Sequence, residues 1–412
     1  MDDRQCDVTG PRPRLLARWM MLGVALLTGW ACNNNPNRGA ENGADAGVAD
    51  AMVTEPQQVI NRKIDIIFQI DDTDAPEQVN LARNFPTFIN VLKNLPGGLP
   101  DLHIGVITSD VSAGAFTKAF TNLTGCGVAD NANFVSTIRA ATDPRCNTAT
   151  LNAGQHFIIS SNGGTQNNFT GDITDVFSCI AQVGTGFCGF EQPLEAVRSA
   201  IGDATGDPLL GIPALAIPPT SIGFLRPDAA LAVIFINERE ECSSIPTSLL
   251  FDPNGRPSLG PLTARCFSHA DICDGQPVIN YVLAGRPAGP FQNCVPDEKS
   301  FTTDPTHALI PVQFYIDYFK KLKPNPANVL VAGIIPPASP YALGIVPDGM
   351  GGTFVALGTS CQGAAGVFGT PVPRLTKFFS AFPQAVTTSV CDQSYTSALM
   401  QIATKIGLLL GP

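Results

Sequence analysis

The chain has 412 residues, 25 Lys and Arg against 35 Asp and Glu, a net charge of −10 and only 15% charged residues. Its basic residues gather nowhere beyond Lys320, Lys321 and Lys323, which excludes nucleic acid as a partner. With 44% hydrophobic residues, 39 Gly and 35 Pro, it reads as a folded chain with long, turn-rich loops.

Arg12, Arg14 and Arg18 precede an apolar segment from Trp19 to Ala31. That segment is too short for a bilayer span, which needs about 20 residues, and fits the apolar core of an export signal. It ends in Thr28-Gly29-Trp30-Ala31-Cys32, which resembles a bacterial lipobox, with Gly29 where Leu or Val is usual. The resemblance makes 1–32 a lipoprotein signal peptide and Cys32 the lipidated residue. The product is then an exported, membrane-anchored lipoprotein of the bacterial cell envelope, on the outer membrane or cell surface. The competing reading is ordinary cleavage near Ala31. Residues 33–56 open on Asn33-Asn34-Asn35-Pro36-Asn37 and stay polar. Such a segment forms no core and acts as a flexible tether with an r.m.s. span of about 25–30 Å. The folded domain is then 57–412.

Ile64, Ile66, Ile67, Phe68 and Ile70 form a dense apolar run, the pattern of a strand buried on both faces. It ends in Asp71, Asp72, Thr73 and Asp74, where open α/β sheets place their ligand sites. Helical spacing of Val79, Ala82, Phe85, Ile89, Leu92 and Leu95 follows, with a kink or restart expected at Pro86. Leu102–Ile107 is the next strand, ending in Thr108-Ser109-Asp110. An irregular region then runs to about Ser161. Asp172–Val183 and Gln192–Ile201 look helical. Between them Gly184–Gly189 matches GxGxxG, but a helix precedes it and no second strand ends in an acid, so a dinucleotide site is rejected.

Ala230–Ile236 is a second buried strand, ending in Asn237-Glu238-Arg239-Glu240-Glu241-Cys242. Val312, Tyr315, Ile316, Phe319 and Leu322 mark a helix stopped by Pro324. Val329–Ile335 is a third buried strand, Phe354–Leu357 and Val386–Cys391 are further candidates, and Leu399, Ile402, Ile406 and Leu409 mark a closing helix. The fold class is α/β: a doubly wound, mainly parallel sheet with helices on both faces and disulfide-bonded insertions at about 111–170 and 242–310.

Apart from Cys6 and Cys32, ten of the 12 cysteines remain, an even number in an exported chain. No CxxC occurs and the four histidines are scattered, which places zinc below disulfides. Proximity in sequence pairs Cys126 with Cys146, Cys179 with Cys188, and Cys361 with Cys391. Cys242, Cys266, Cys273 and Cys294 pair among themselves in one of three ways. His103 reads as a core histidine. No GxSxG or HExxH motif occurs, so catalysis has no nucleophile or zinc signature.

The strand end Asp71-x-Thr73-x-Ala75 resembles the von Willebrand factor type A domain, whose first strand ends in Asp-x-Ser-x-Ser at a metal-ion-dependent adhesion site. Gly186–Ala196 (GFCGFEQPLEA), the run around Glu238–Ser243 and Ser389–Leu399 (SVCDQSYTSAL) resemble exported, cysteine-rich members of the myxobacterial kind. The resemblance implies a metal set of Asp71, Thr73, Thr185 and Glu238. Ala75 lacks the third hydroxyl and Glu238 stands for an Asp, so the site is a degenerate one. It implies weak Ca²⁺ or Mg²⁺ binding, with Ca²⁺ the more tolerant of an irregular oxygen shell.

Asp72, Asp74, Asp110, Glu240 and Glu241 would form an acidic binding face beside it. The competing view leaves these acids as solvated strand-end residues. The function expected is non-catalytic: a lipid-anchored adhesion or binding protein whose strand-end face takes a protein or cell-surface ligand, the metal completing its shell with a partner carboxylate. The alternatives are an envelope hydrolase working in the acidic cleft, or a structural scaffold with a vestigial metal site.

Overall fold

The computed structural model describes residues 62–411, apart from 74, 121–129, 187–188, 255 and 348–350. The main-sheet strands are β1 (Lys63–Ile70), β2 (Asp101–Thr108), β3 (Ile158–Ser161), β4 (Gln166–Asn167), β5 (Ala230–Ile236), β6 (Val329–Ile335) and β7 (Val386–Ser389). The helices packed on them are α1 (Pro76–Lys93), α2 (Ile173–Ile180), α3 (Pro193–Ile201), α4 (Val312–Lys320), α5 (Pro373–Ser380) and α6 (Thr396–Leu410).

The sheet order is β7–β6–β5–β1–β2–β3–β4. The five strands from β7 to β2 are parallel, while β3 and β4 add on antiparallel. This is the expected α/β architecture, with one extension. The irregular region after β2 returns to the sheet as β3 and β4, which are too short to show a period in sequence.

Side chains alternate across β1, and the two faces take different partners. Ile64, Ile66, Phe68 and Ile70 pack under α1, α2 and α6. Ile67, with Val233 and Phe235 of β5, packs under α3, α4 and α5. On that second face Asp65 is wholly buried, and the Arg226 backbone N–H and Nε donate to its carboxylate at 2.7 and 2.8 Å. His103 is buried as expected, its Nδ1 2.8 Å from the Phe224 carbonyl.

Pro86 neither kinks α1 apart nor restarts it; one helix runs from Pro76 to Lys93. Proline removes the N–H that the Ala82 carbonyl would accept. The Ser178 hydroxyl of α2 supplies it instead, at 2.9 Å.

Four disulfides lie among the described residues: Cys146–Cys179, Cys242–Cys266, Cys273–Cys294 and Cys361–Cys391. The first corrects two expected pairings, Cys126–Cys146 and Cys179–Cys188. Cys179 faces inward from α2, and the turn Pro144–Asn147 brings Cys146 onto that helix with a Cα–Cα distance of 5.5 Å. Nearness in sequence is a weak guide here, because closing a longer loop costs little more entropy. Cys126 and Cys188 lie outside the described residues, as do Cys32, the signal segment and the tether. Cys361–Cys391 is as expected, and the four cysteines between 242 and 294 do pair among themselves.

Residues 242–310 hold short helices and a small antiparallel sheet of Cys294–Pro296, Asp271–Cys273 and Gln276–Pro277. The expected strand at Phe354–Leu357 forms, but in a separate sheet with Tyr341–Pro347 and Ala288–Phe291.

Candidate functional site

From β1 the chain winds outward one way through β2, β3 and β4. It then crosses back to β5 and continues the other way to β7. The carboxyl ends of β1 and β5 thus flank the switch point, where a crevice opens between diverging connections. The Asp71 N–H donates to the Ile236 carbonyl at 2.8 Å, holding the two strand ends together.

Asp71, Asp72 and Glu191 meet in that crevice. One oxygen from each lies within 4.8 Å of the others. All three are buried: Asp71 is 0%, Asp72 3% and Glu191 6% exposed. The Thr73 N–H donates to Asp71 Oδ1 at 2.9 Å, and the Glu238 N–H to Asp71 Oδ2 at 3.2 Å. The Thr73 hydroxyl donates to Glu191 at 3.1 Å. The Ser109 hydroxyl reaches both Asp72, at 3.1 Å, and Glu191.

Glu191 is placed by its neighbours. Phe190 packs on Phe251 of the cysteine-rich insert at 4.7 Å between centroids. The Gln192 N–H donates to the Ser109 carbonyl at 3.0 Å, and its side chain joins the Ser112 carbonyl to the Ser244 N–H. The Cys242 N–H donates to the Glu191 carbonyl at 2.8 Å, so the Cys242–Cys266 bridge anchors the loop after β5 to the same residue. Pro193 then starts α3 at its first turn, where a missing N–H is harmless.

Burial of three carboxylates in one crevice disfavours their charged forms, and each raises the others. Burial, followed by the charges of Asp71 and Asp110, pushes Asp72 up to about 8. Burial likewise raises Asp71 and Glu191. Asp110 beside them is pushed up to about 6, again chiefly by burial. Ser109 has one proton for two carboxylates, so a proton or a cation must relieve the remaining repulsion.

The donor set fits a hard divalent cation. It contains only oxygens, and two ligands of one Ca²⁺ at about 2.3–2.6 Å lie within roughly 5 Å of each other. Asp71, Asp72 and Glu191 would hold the ion, with the Thr73 and Ser109 hydroxyls supporting them.

The expected set differs at two positions. Thr185 is exposed and makes no hydrogen bond to the acids; the loop contributes Glu191 instead. Glu238 is fully buried but lies outside the triad. Its backbone N–H holds Asp71, while its side chain pairs with Arg239 at 3.3 Å and its charge acts on Tyr395, towards α6. Asp71 and Thr73 are both in the crevice.

Among the acids expected on a binding face, Asp72 belongs to the triad and Asp110 lies beside it, while Asp74 is outside the described residues. Glu241 is not on a face at all: it is buried against the Arg374 Nε at 2.6 Å and the Ser243 N–H at 2.9 Å. Glu240 accepts the Thr370 hydroxyl at 3.0 Å. Both therefore organise the loop after β5.

Sequence reasoning missed Glu191, Ser109 and the pair Asp130–Arg139, joined at 2.7 Å behind Asp110. Pro193 was the usable signal for Glu191, since a proline at a helix start places the acid two residues earlier at the strand-end face.

Fold and site together define a disulfide-bonded α/β protein with a buried acidic triad at its switch point. Four disulfides suggest an extracytoplasmic setting. Among the described residues, no helix is long and apolar enough to cross a membrane. No family model matches the chain, and no curated protein matches it.

Proposed function

We propose that this chain is a lipid-anchored, non-catalytic binding protein of the bacterial cell envelope, with a divalent cation organising its strand-end face. The observation that carries this reading is the triad of Asp71, Asp72 and Glu191, buried at the switch point where such sheets bind their ligands. The resemblance to type A domains supports it through Asp71 and Thr73 at the end of the first strand.

The cation's role differs from the usual one in that resemblance. Three carboxylates more than neutralise a +2 ion, and their burial keeps a partner's acid away from it. The ion would therefore tie together the loops after β1, after β2 and before α3. The surface above them takes the protein or cell-surface ligand. An all-carboxylate shell with irregular spacing favours Ca²⁺ over Mg²⁺, which demands near-ideal octahedral geometry.

Cation titration of the full chain, followed by calorimetry and thermal melting, tests this. Ca²⁺ should raise the melting temperature more than Mg²⁺, and Glu191→Gln and Asp71→Asn should each remove the response. An equal response in Glu191→Gln, or none in wild type at millimolar Ca²⁺, overturns it. The anchor is tested separately: fatty-acid labelling should mark wild type and not Cys32→Ala.

A further inference from the structure

β7 ends the main sheet, and among the described residues no strand pairs with its outer edge. In a parallel ladder alternate residues turn both N–H and C=O to the same neighbour. The Val390 N–H donates to the Ile335 carbonyl at 3.2 Å, so Val386, Thr388 and Val390 face β6. Thr387 and Ser389 therefore turn their backbone groups outward. Neither Thr387 group nor the Ser389 N–H has a partner among the described residues. The Ser389 carbonyl accepts from the Asp392 N–H and keeps a second lone pair.

Natural sheets blunt such an edge with charge, proline or a bulge, or by keeping the strand short, as this four-residue strand is. The sequence Val386-Thr387-Thr388-Ser389 carries no charge, proline or bulge. A groove of about 560 Å³ flanks it on the α5 side, lined by Phe379, Phe382 and Ala385. Another of about 630 Å³ flanks it on the α6 side, lined by Met400 and Leu408. Met400 is 46% and Leu408 72% exposed.

We propose that this edge pairs with the same edge of a second copy of the chain, joining two sheets into one across a twofold axis at Thr388. Two observations favour a copy over a foreign strand. Antiparallel pairing about Thr388 sets Thr387 opposite the copy's Ser389 and Ser389 opposite the copy's Thr387. The outward groups on each side then answer one another.

Charge gives the second. The chain carries −10 overall, which resists self-association elsewhere. Between Gln384 and Leu410 the only charged residues are Asp392 and Lys405, which cancel, so this edge is a neutral place for two copies to meet. The symmetric arrangement also sets Met400 and Leu408 of each copy at one self-complementary interface.

Cysteine cross-linking of the full chain, in the envelope of expressing cells and read on non-reducing gels, tests the register. Across a non-hydrogen-bonded antiparallel pair the Cα atoms lie about 4.5 Å apart, within disulfide range. Thr388→Cys should therefore give roughly tenfold more covalent dimer than Thr387→Cys, whose copies sit beyond about 7 Å. Thr387→Cys co-expressed with Ser389→Cys should cross-link as a mixed pair. Adding Thr387→Lys, a surface change, to Thr388→Cys should abolish the dimer.

Three results would overturn the proposal. One is monomer at all three positions with folded protein at wild-type levels. The second is equal cross-linking at 387 and 388, which marks random collision. The third is a Thr388→Cys adduct to a different polypeptide.

Discussion

Asp71, Asp72 and Glu191 share a crevice in which their oxygens lie within 4.8 Å of one another, and this makes the site a proton store when no cation is bound. Asp72, raised to about 8, and Asp110, raised to about 6, bind protons more tightly in the folded chain than in the unfolded one. Over that window the unfolded chain has released protons that the native chain keeps. The resulting stability is present at low pH and is lost as pH rises towards about 8. The chelated chain should thus lose melting temperature between about pH 5 and pH 8 relative to Asp72→Asn, in which that slope is reduced. Saturating Ca²⁺ should flatten the wild-type profile, since a cation takes the place of the protons. A wild-type slope equal to that of Asp72→Asn would remove Asp72 from this role. Thr185→Ala, at an exposed position, should leave Ca²⁺ binding unchanged, whereas Ala75→Ser, which restores the hydroxyl of the type A motif that the strand end resembles, should strengthen Mg²⁺ binding; both are read by calorimetry. The acids at the end of β1 were legible in the sequence because a buried strand stops there abruptly. Glu191 was not, because its place depends on how a loop folds back to start α3.

At the scale of elements, α1 and α2 are coupled through one hydrogen bond that a proline makes necessary. Ser178→Ala leaves the Ala82 carbonyl without its donor, and such a loss costs about 1–2 kcal/mol. Pro86→Ala restores the helix's own N–H, so the double variant should recover most of that loss. Denaturant melts of the four proteins form the cycle, and simple additivity would sink the coupling. The helical period before and after Pro86 was readable, but a kink was the natural expectation. Whether a freed carbonyl finds a new donor depends on a neighbouring helix that local sequence does not specify. The same holds for β3, which pairs because β2 offers an edge, and for β4, which pairs in turn with β3.

At the scale of the whole molecule, bridges fasten long insertions to a core built from two faces of one sheet. Cys146–Cys179 closes 33 residues of separation between the region after β2 and α2. Replacing both cysteines by serine should cost about 2–5 kcal/mol, measured by denaturant unfolding. A loss well below that range would mean the segment is held by packing alone. The order of buried strands, their helices and the even cysteine count were determined by the sequence itself. Apolar runs of strand length and helical periods are local patterns, and burial on both faces leaves a parallel sheet as their solution. Which cysteines meet, which acids share the crevice, and which acids are neutralised in the interior were decided only by the tertiary structure. Glu241 lies three residues beyond Glu238 on one strand-end loop, yet it ends against Arg374 while the Glu238 backbone supports Asp71. Those fates depend on contacts between segments more than a hundred residues apart, and nothing in the local pattern of charges distinguishes them.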